Sequence, residues 1–270
     1  MTSNQPSAID NQQSSLAAIV LTRNEARHIG DCLDSLAWAA RRVVVDSFST
    51  DRTCDLAREH GAEVIRHPFT DFAAQRNAAL DQVEADWVFF VDADERATPE
   101  LGAEIQSIVA LGGQGATGWQ VPRLNYLSGK LTKGAGYWPD YQMRLLKRGC
   151  ARYTRPASEI VELVGQSACL TNPLIHFNYE SIAQFHQKQQ VRIDFEARNL
   201  LAQGVKLKFY TPYYMTLRHF WWRLGTLKGY RDGVHGLRLS GLLAYYFGYR
   251  YYRRAMEIAR SITGVDTDAG

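Results

Sequence analysis

Short apolar runs alternate with polar stretches through the first hundred residues. Leu16-Ala17-Ala18-Ile19-Val20-Leu21 reads as a buried strand that stops at Thr22-Arg23-Asn24-Glu25. Beyond it Ile29, Leu33, Leu36 and Ala40 recur at helical spacing. Val43-Val44-Val45 is a second strand ending at Asp46, after which Ser49, Thr50 or Asp51 can cap a helix running to about His60. Gly61 is a stop, Ala62 to Ile65 a short third strand, Asp71 to about Val83 another helix, and Trp87 to Val91 a fourth strand. Strands alternating with helices predict an α/β fold, a mainly parallel sheet with helices on both faces.

The fourth strand runs straight into Asp92-Ala93-Asp94-Glu95. Ligands of open α/β sheets bind beyond the carboxyl ends of the strands. Closely spaced carboxylates there suit a hard cation such as Mg²⁺ or Mn²⁺, but a solvated acidic turn has the same sequence. No Gly-x-Gly-x-x-Gly follows the first strand, so the dinucleotide fingerprint is absent. The strand ends carry Thr22, Asn24, Glu25, Asp46 and Asp92 instead, polar groups able to recognise a base and ribose. Asp46 is equally suited to a turn.

Composition adds a division along the chain. Residues 1–15 are polar, without a basic start or an apolar core, and are expected to form a disordered tail. The cysteines (Cys32, Cys54, Cys150, Cys169) form no Cys-x-x-Cys pair and are expected as buried, reduced thiols. From Val205 to Arg260 eleven Lys or Arg face two acids, a local charge of +9, so the remainder carries −6 of the chain's net +3. That stretch holds fourteen of the 31 aromatic residues. An acidic body thus carries a basic, aromatic helical extension. Nothing in it offers eighteen uninterrupted apolar residues; Leu239 to Tyr249 comes nearest, closed by Arg250. Aromatics interleaved with arginine describe an interfacial helix on an anionic membrane, or else a helix packed by its aromatic face on the body. Single-stranded nucleic acid also binds such residues, but nothing else here resembles a nucleic-acid module.

Taken together, Ile19-to-Glu25, Val43-to-Thr53, Gln75-to-Leu80 and Asp92-to-Glu95 resemble, in order and spacing, the family 2 glycosyltransferases, whose nucleotide-sugar domain has the GT-A fold. Gly136-to-Leu146 and Pro173-to-Phe177 are similar to the subgroup that includes lipopolysaccharide inner-core glycosyltransferases. The resemblance covers roughly residues 16 to 255. One position departs from it: Ser158-Glu159 stands where that subgroup commonly has His-Glu.

The resemblance implies transfer of a sugar from a nucleotide donor to an acceptor hydroxyl, on a lipid-linked or envelope glycan, at the inner face of the cytoplasmic membrane. It implies Asp94 as metal ligand, Asp92 shared between metal and ribose, and Glu95 in support. His176 is a further candidate for metal or phosphate, or a structural hydrogen-bonding residue. Arg76 and Arg144 are candidates for the diphosphate, whose oxygens a guanidinium fork matches. An inverting displacement needs a carboxylate base, with Glu159 preferred and Asp140 second; Asp140 neighbours Trp138 and Tyr141, a candidate sugar-stacking wall. The expected divisions are a tail over 1–15, a GT-A domain over 16–204 (donor part to about 110, acceptor part from 111), a membrane-associating region over 205–260, and a tail over 261–270. A haloacid-dehalogenase-like phosphatase also places Asp-x-Asp after an apolar strand, but near the first strand. A non-catalytic glycan- or membrane-binding protein retaining the fold is the other alternative. The sugar, the base, the acceptor and the oligomeric state are not legible.

Overall fold

The structure, a computed structural model, describes residues 15–154 and 160–263. Most of the expected tails, and the Ser158-Glu159 pair, lie outside the described residues. The chain forms two compact units: Met1–Pro122 with Tyr141–Leu174, and Arg123–Asp140 with Ile175–Gly270. The expected boundary at residue 204 falls inside the second unit.

The first unit opens with β1 (Leu16–Thr22), α1 (Ile29–Ser35), β2 (Arg41–Asp46), α2 (Thr53–Glu59), β3 (Glu63–Arg66), α3 (Phe72–Gln82) and β4 (Trp87–Asp92). These elements match the alternation read from the sequence. β5 (Glu95–Ala97) and α4 (Pro99–Ala110) follow, then β6 (Ala116–Leu127), whose later residues belong to the second unit with β7 (Lys130–Thr132). The chain returns through β8 (Asp140–Lys147), β9 (Ala151–Thr154), β10 (Ile160–Leu163) and β11 (Gln166–Cys169). The strand order begins β3-β2-β1-β4-β8-β6. β1 pairs in parallel with both β2 and β4, but β4 pairs antiparallel with β8. The sheet is therefore mixed, where the sequence predicted a mainly parallel one. The parallel half is the part built from strand–helix repeats; β8 arrives without a crossover helix before it and runs the other way.

Residue parity builds the two sides of the sheet. Ala18, Val20, Phe89 and Val91 pack on one face with Ile29 and Leu33 of α1 and Leu101 and Ile105 of α4. Ala17, Ile19, Val88 and Phe90 pack on the other with Ala73, Ala79 and Leu80 of α3 and Leu146 of β8. Strands buried on both faces read as unbroken apolar runs, which is why they were visible in the sequence. Asp71 caps α3 by accepting from the Ala74 N–H at 2.8 Å, and Thr98 caps α4 by accepting from the Leu101 N–H at 3.2 Å. The helix-capping expectation for Ser49, Thr50 or Asp51 does not hold, since Arg52 occupies the cap position of α2 and makes no side-chain cap. All four cysteines are free, but Cys150 is only half-buried and Cys169 is exposed.

The second unit contains β12 (Leu174–Tyr179) from Ile175 onward, α5 (Ile182–Ala202), α6 (Thr211–Trp221), α7 (Gly233–Ala244) and α8 (Tyr251–Thr263). Wide helical turns over Trp222–Thr226 and Tyr245–Arg250 follow α6 and α7. Phe185, Ile193, Leu239, Leu243, Tyr246 and Tyr251 form its core. The near-spanning segment Leu239 to Tyr249 thus puts Leu239, Leu243 and Tyr246 into protein. Among the described residues no helix is long and apolar enough to cross a membrane.

Glycine makes one close approach possible here. A Cβ on Gly236 would sit 1.9 Å from the Gly229 carbonyl oxygen, whereas one on Gly241, in the same helix, meets nothing within 4 Å. Gly236→Ala is expected to destabilise the protein by about 1–3 kcal/mol through overpacking. Gly241→Ala is expected to stabilise it by about 0.5–1 kcal/mol through helix propensity. Thermal unfolding of the two variants, followed by circular dichroism, should give melting shifts of opposite sign.

Candidate active site

Three neighbouring strands deliver polar residues to one edge of the first unit. In register, Thr22 lies opposite Asp46, and Leu21 opposite Asp92. The order β3-β2-β1-β4 reverses direction between β1 and β4, the switch point where α/β sheets open a ligand crevice.

The loops after β1 and β2 are locked together. The Asn24 N–H donates to Ser49 Oγ at 2.8 Å, and the Thr50 N–H donates to Asn24 Oδ1 at 2.8 Å. The Glu25 N–H donates to Thr53 Oγ1 at 2.8 Å. Asp51 accepts from the Thr53 and Ala26 N–H groups at 3.0 and 3.1 Å. Ser49 is thus spent on the neighbouring loop, whereas Asp51, just before the cap position, still takes the N–H of Thr53, the first residue of α2. Asp46 is fully buried, and its carboxylate accepts from the Ser49 N–H at 2.9 Å and from the Ser49 hydroxyl. Asn24 and Phe48 adopt left-handed φ values of 56°, a conformation asparagine tolerates better than most residues. Thr22 Oγ1 is buried without a hydrogen-bond partner among the described residues.

Parity also explains the acidic centre. Asp92 continues the face of Val88 and Phe90, and Arg144 the face of Leu146, so both turn toward α3. Arg76 of α3 meets them there. Its Nη2 donates to Asp92 Oδ1 at 3.1 Å, while its guanidinium lies over the rings of Phe90 and Tyr153, 5.2 and 5.4 Å from their centroids. Arg144 donates to Asp92 Oδ1 at 3.2 Å and Oδ2 at 2.5 Å, and to Glu95 Oε1 at 2.8 Å. Glu95 closes the turn by accepting from the Asp92 N–H at 2.9 Å. Glu95 is 0% exposed, the Arg144 side chain 3% and the Asp92 side chain 33%. Although burial alone opposes the charge on Arg144, Asp92 and Glu95 hold its pKa well above the ordinary arginine value. The pair read as diphosphate contacts is thus engaged with Asp92.

The remaining candidates fall elsewhere. In the second unit, Asp140 Oδ2 accepts from Arg123 Nε and Nη2 at 3.0 and 2.7 Å, and from Asn125 Nδ2 at 3.2 Å. His176 Nδ1 pairs with Asn125 Oδ1 at 2.8 Å, a hydrogen-bonding role. Glu159 lies outside the described residues. Trp138 and Tyr141 are both exposed. Among the described residues no three His, Cys, Asp or Glu side chains gather into a metal cluster.

Several participants were not singled out in the sequence. Gln75 is buried, with Nε2 donating to Ser47 Oγ at 3.1 Å and Oε1 paired with His67 Nδ1 at 2.9 Å. Asn77 brackets the Tyr153 backbone, donating to its carbonyl and accepting from its N–H at 2.9 Å each. Both stand in the quoted Gln75-to-Leu80 segment, which was the available signal. Arg123 and Asn125 had none: they sit in a strand whose pattern says only that it is half-buried.

Residues 17–123 match the family described as Glycosyl transferase family 2. The matched segment is a family 2 glycosyltransferase domain, and glycosyltransferase activity is what that match and the curated relatives support, against the phosphatase alternative. Its curated relatives include the lipopolysaccharide core biosynthesis glycosyltransferase LpsC of Rhizobium meliloti (strain 1021), 29% identical over 250 residues, 85% of this chain and 90% of that protein. An uncharacterized glycosyltransferase of Rickettsia felis is 28% identical over 220 residues, 77% of this chain and 76% of that one. Among solved structures, glucosyl-3-phosphoglycerate synthase from Mycobacterium tuberculosis, in complex with Mn²⁺, UDP-glucose and phosphoglyceric acid, superposes at a TM-score of 0.49. It is 15% identical, with 72% of this chain and 81% of that chain covered.

Arg144 is the test of the buried centre. Arg144→Met removes the guanidinium that joins buried Glu95 to Asp92 and is expected to cost about 3–5 kcal/mol. Arg144→Lys replaces a fork by a single ammonium that cannot serve both carboxylates and should fall between. Urea unfolding of the three proteins gives the order.

Proposed function

We propose that this enzyme transfers a sugar from a nucleoside-diphosphate donor to a hydroxyl of a lipid-linked or cell-envelope glycan, with inversion at the sugar carbon and with Mg²⁺ or Mn²⁺. The observation that carries the reading is the Asp92 carboxylate, held by Arg76 and Arg144 at the carboxyl end of β4, with Asp94 following on the turn. Carboxylate oxygens suit a hard cation, and such an ion is commonly bound by one or two carboxylates plus the substrate's phosphates, so a donor set without a protein cage fits it. Because Asp92 is engaged with two guanidinium groups, Asp94 is assigned as the leading ligand and Asp92 as the second. A cation bound there would stabilise negative charge as it develops on the departing diphosphate.

The protein's own groups are assigned as follows. Arg144 and Arg76 hold the Asp92 carboxylate at the strand edge. The nucleoside belongs to the interlocked loops, whose shape Asn24 and Asp46 hold, with Thr22 and Glu25 at the same edge. Glu159 takes the acceptor proton as the new bond from acceptor oxygen to sugar carbon forms and the bond from sugar carbon to phosphate oxygen breaks. Asp140 is the weaker candidate because Oδ2 already receives three N–H donors. The envelope-glycan acceptor is supported by the kinship to LpsC, and work at the inner face of the cytoplasmic membrane by the exposed aromatic and basic residues of the second unit.

Asp94→Ala is expected to abolish both transfer and metal-stimulated donor hydrolysis. Donor hydrolysis measured with and without Mn²⁺ checks it, and unchanged stimulation would remove the cation from Asp94. Glu159→Gln is expected to leave donor binding intact while turnover falls about 10²–10⁴-fold. Calorimetric donor binding beside a transfer assay separates the two effects, and near-normal turnover would move the base to Asp140.

A further inference from the structure

A surface helix normally turns its large apolar residues inward and leaves small and polar ones to water. α6 does the reverse. Tyr210, Tyr213, Tyr214, Leu217 and Trp221 fall on one face at helical spacing, and all are exposed, Leu217 at 62% and Trp221 at 65%. The opposite face carries Pro212, Thr216 and His219. Pro212 is buried. A Cβ on Gly248 would lie 2.5 Å from Thr216 Cα, so the two backbones touch where only glycine fits. Burial, with Arg223 and Arg218 nearby, pushes the His219 imidazole down to about 4. The small face is locked by close backbone packing, and the large face is thereby held outward.

Charge says what covers that face. From Ala197 to Arg231 the chain contains seven Lys or Arg and no Asp or Glu. Lys206, Lys208 and Arg218 are exposed beside the aromatic face. A second copy of the same surface would bring these like charges together across a two-fold axis. An anionic lipid surface complements them, and aromatic rings sit favourably at headgroup depth. No helix among the described residues is able to span a bilayer.

We propose that α6 lies in the plane of an anionic phospholipid bilayer, with its Tyr210-to-Trp221 face at headgroup depth and Lys206, Lys208 and Arg218 against the lipid phosphates. The inference rests on the membrane location of the reading above and is independent of its transfer chemistry.

The test is flotation of the full chain with vesicles of phosphatidylcholine, with and without phosphatidylglycerol. Binding is expected only with phosphatidylglycerol and is expected to weaken with added salt. In the double variant Leu217→Ser/Trp221→Ser the bound fraction should fall at least about tenfold. Its circular dichroism and its hydrolysis of a soluble nucleotide sugar should stay those of the parent. If that variant misfolds, Lys206→Ala/Lys208→Ala/Arg218→Ala replaces it, with the same loss expected. Equal binding by parent and variants, or binding by none, overturns the proposal. So does a parent dimer that the variant converts to a monomer in light scattering without vesicle binding, which would make α6 a contact between copies. Vesicle binding by a parent that hydrolyses no donor would leave this inference standing and overturn the transferase chemistry instead.

Discussion

A buried arginine set between two carboxylates organises the carboxyl edge of the first unit's sheet. Arg144 comes from β8, and Asp92 and Glu95 flank the turn after β4, so one guanidinium joins two adjacent strands at the place where the sheet stops. A charge so deeply buried is tolerable only when its partners are fixed, and here each partner is fixed in turn. Glu95 accepts from the Asp92 N–H, and Asp92 accepts also from Arg76, which itself lies over the rings of Phe90 and Tyr153. The arrangement is cross-linked, since Arg144 bonds both carboxylates and Asp92 bonds both arginines.

That cross-linking gives the acidic turn a defined shape. A carboxylate facing solvent alone would hold no defined direction. Asp92, neutralised from behind by two arginines, presents a fixed acceptor at the strand edge, with Asp94 beyond it on the turn. The loops that would frame a nucleoside are stiffened the same way, by side chains that bond the neighbouring loop's backbone. Asn24 and Asp46 thus act through the shape they impose.

The second unit divides its aromatic residues by role. Phe185, Tyr246 and Tyr251 are core, whereas Tyr213, Tyr214 and Trp221 face outward. The packing reading of the basic aromatic extension therefore holds for those core residues, and the interfacial reading rests on α6. The division is invisible in composition, since exposed aromatics from Phe209 to Tyr245 and buried ones from Tyr246 to Tyr252 share one basic, aromatic stretch. Gly248 and Pro212 decide it by letting α6 seat its small face.

Local chemistry was legible where one physical demand acted alone. Leu16 to Leu21, Val43 to Val45 and Trp87 to Val91 had to be apolar because the sheet is covered on both faces, so their identity and order could be read directly. The acidic turn after β4 was legible for the same reason, as an abrupt change from apolar to charged at a strand end. Three things needed the folded chain. The antiparallel entry of β8 depends on pairing between distant segments, which no local pattern encodes. Arg144, read as a ligand contact, proved to be the partner of Asp92 and Glu95, because a guanidinium's target is set by what lies within a few ångströms in space. Asp140 and His176 joined Arg123 and Asn125 for the same reason. Sequence determines which groups are present and at which end of an element they emerge; only tertiary structure decides which charges meet, because ion pairs form across distances that the chain itself does not record.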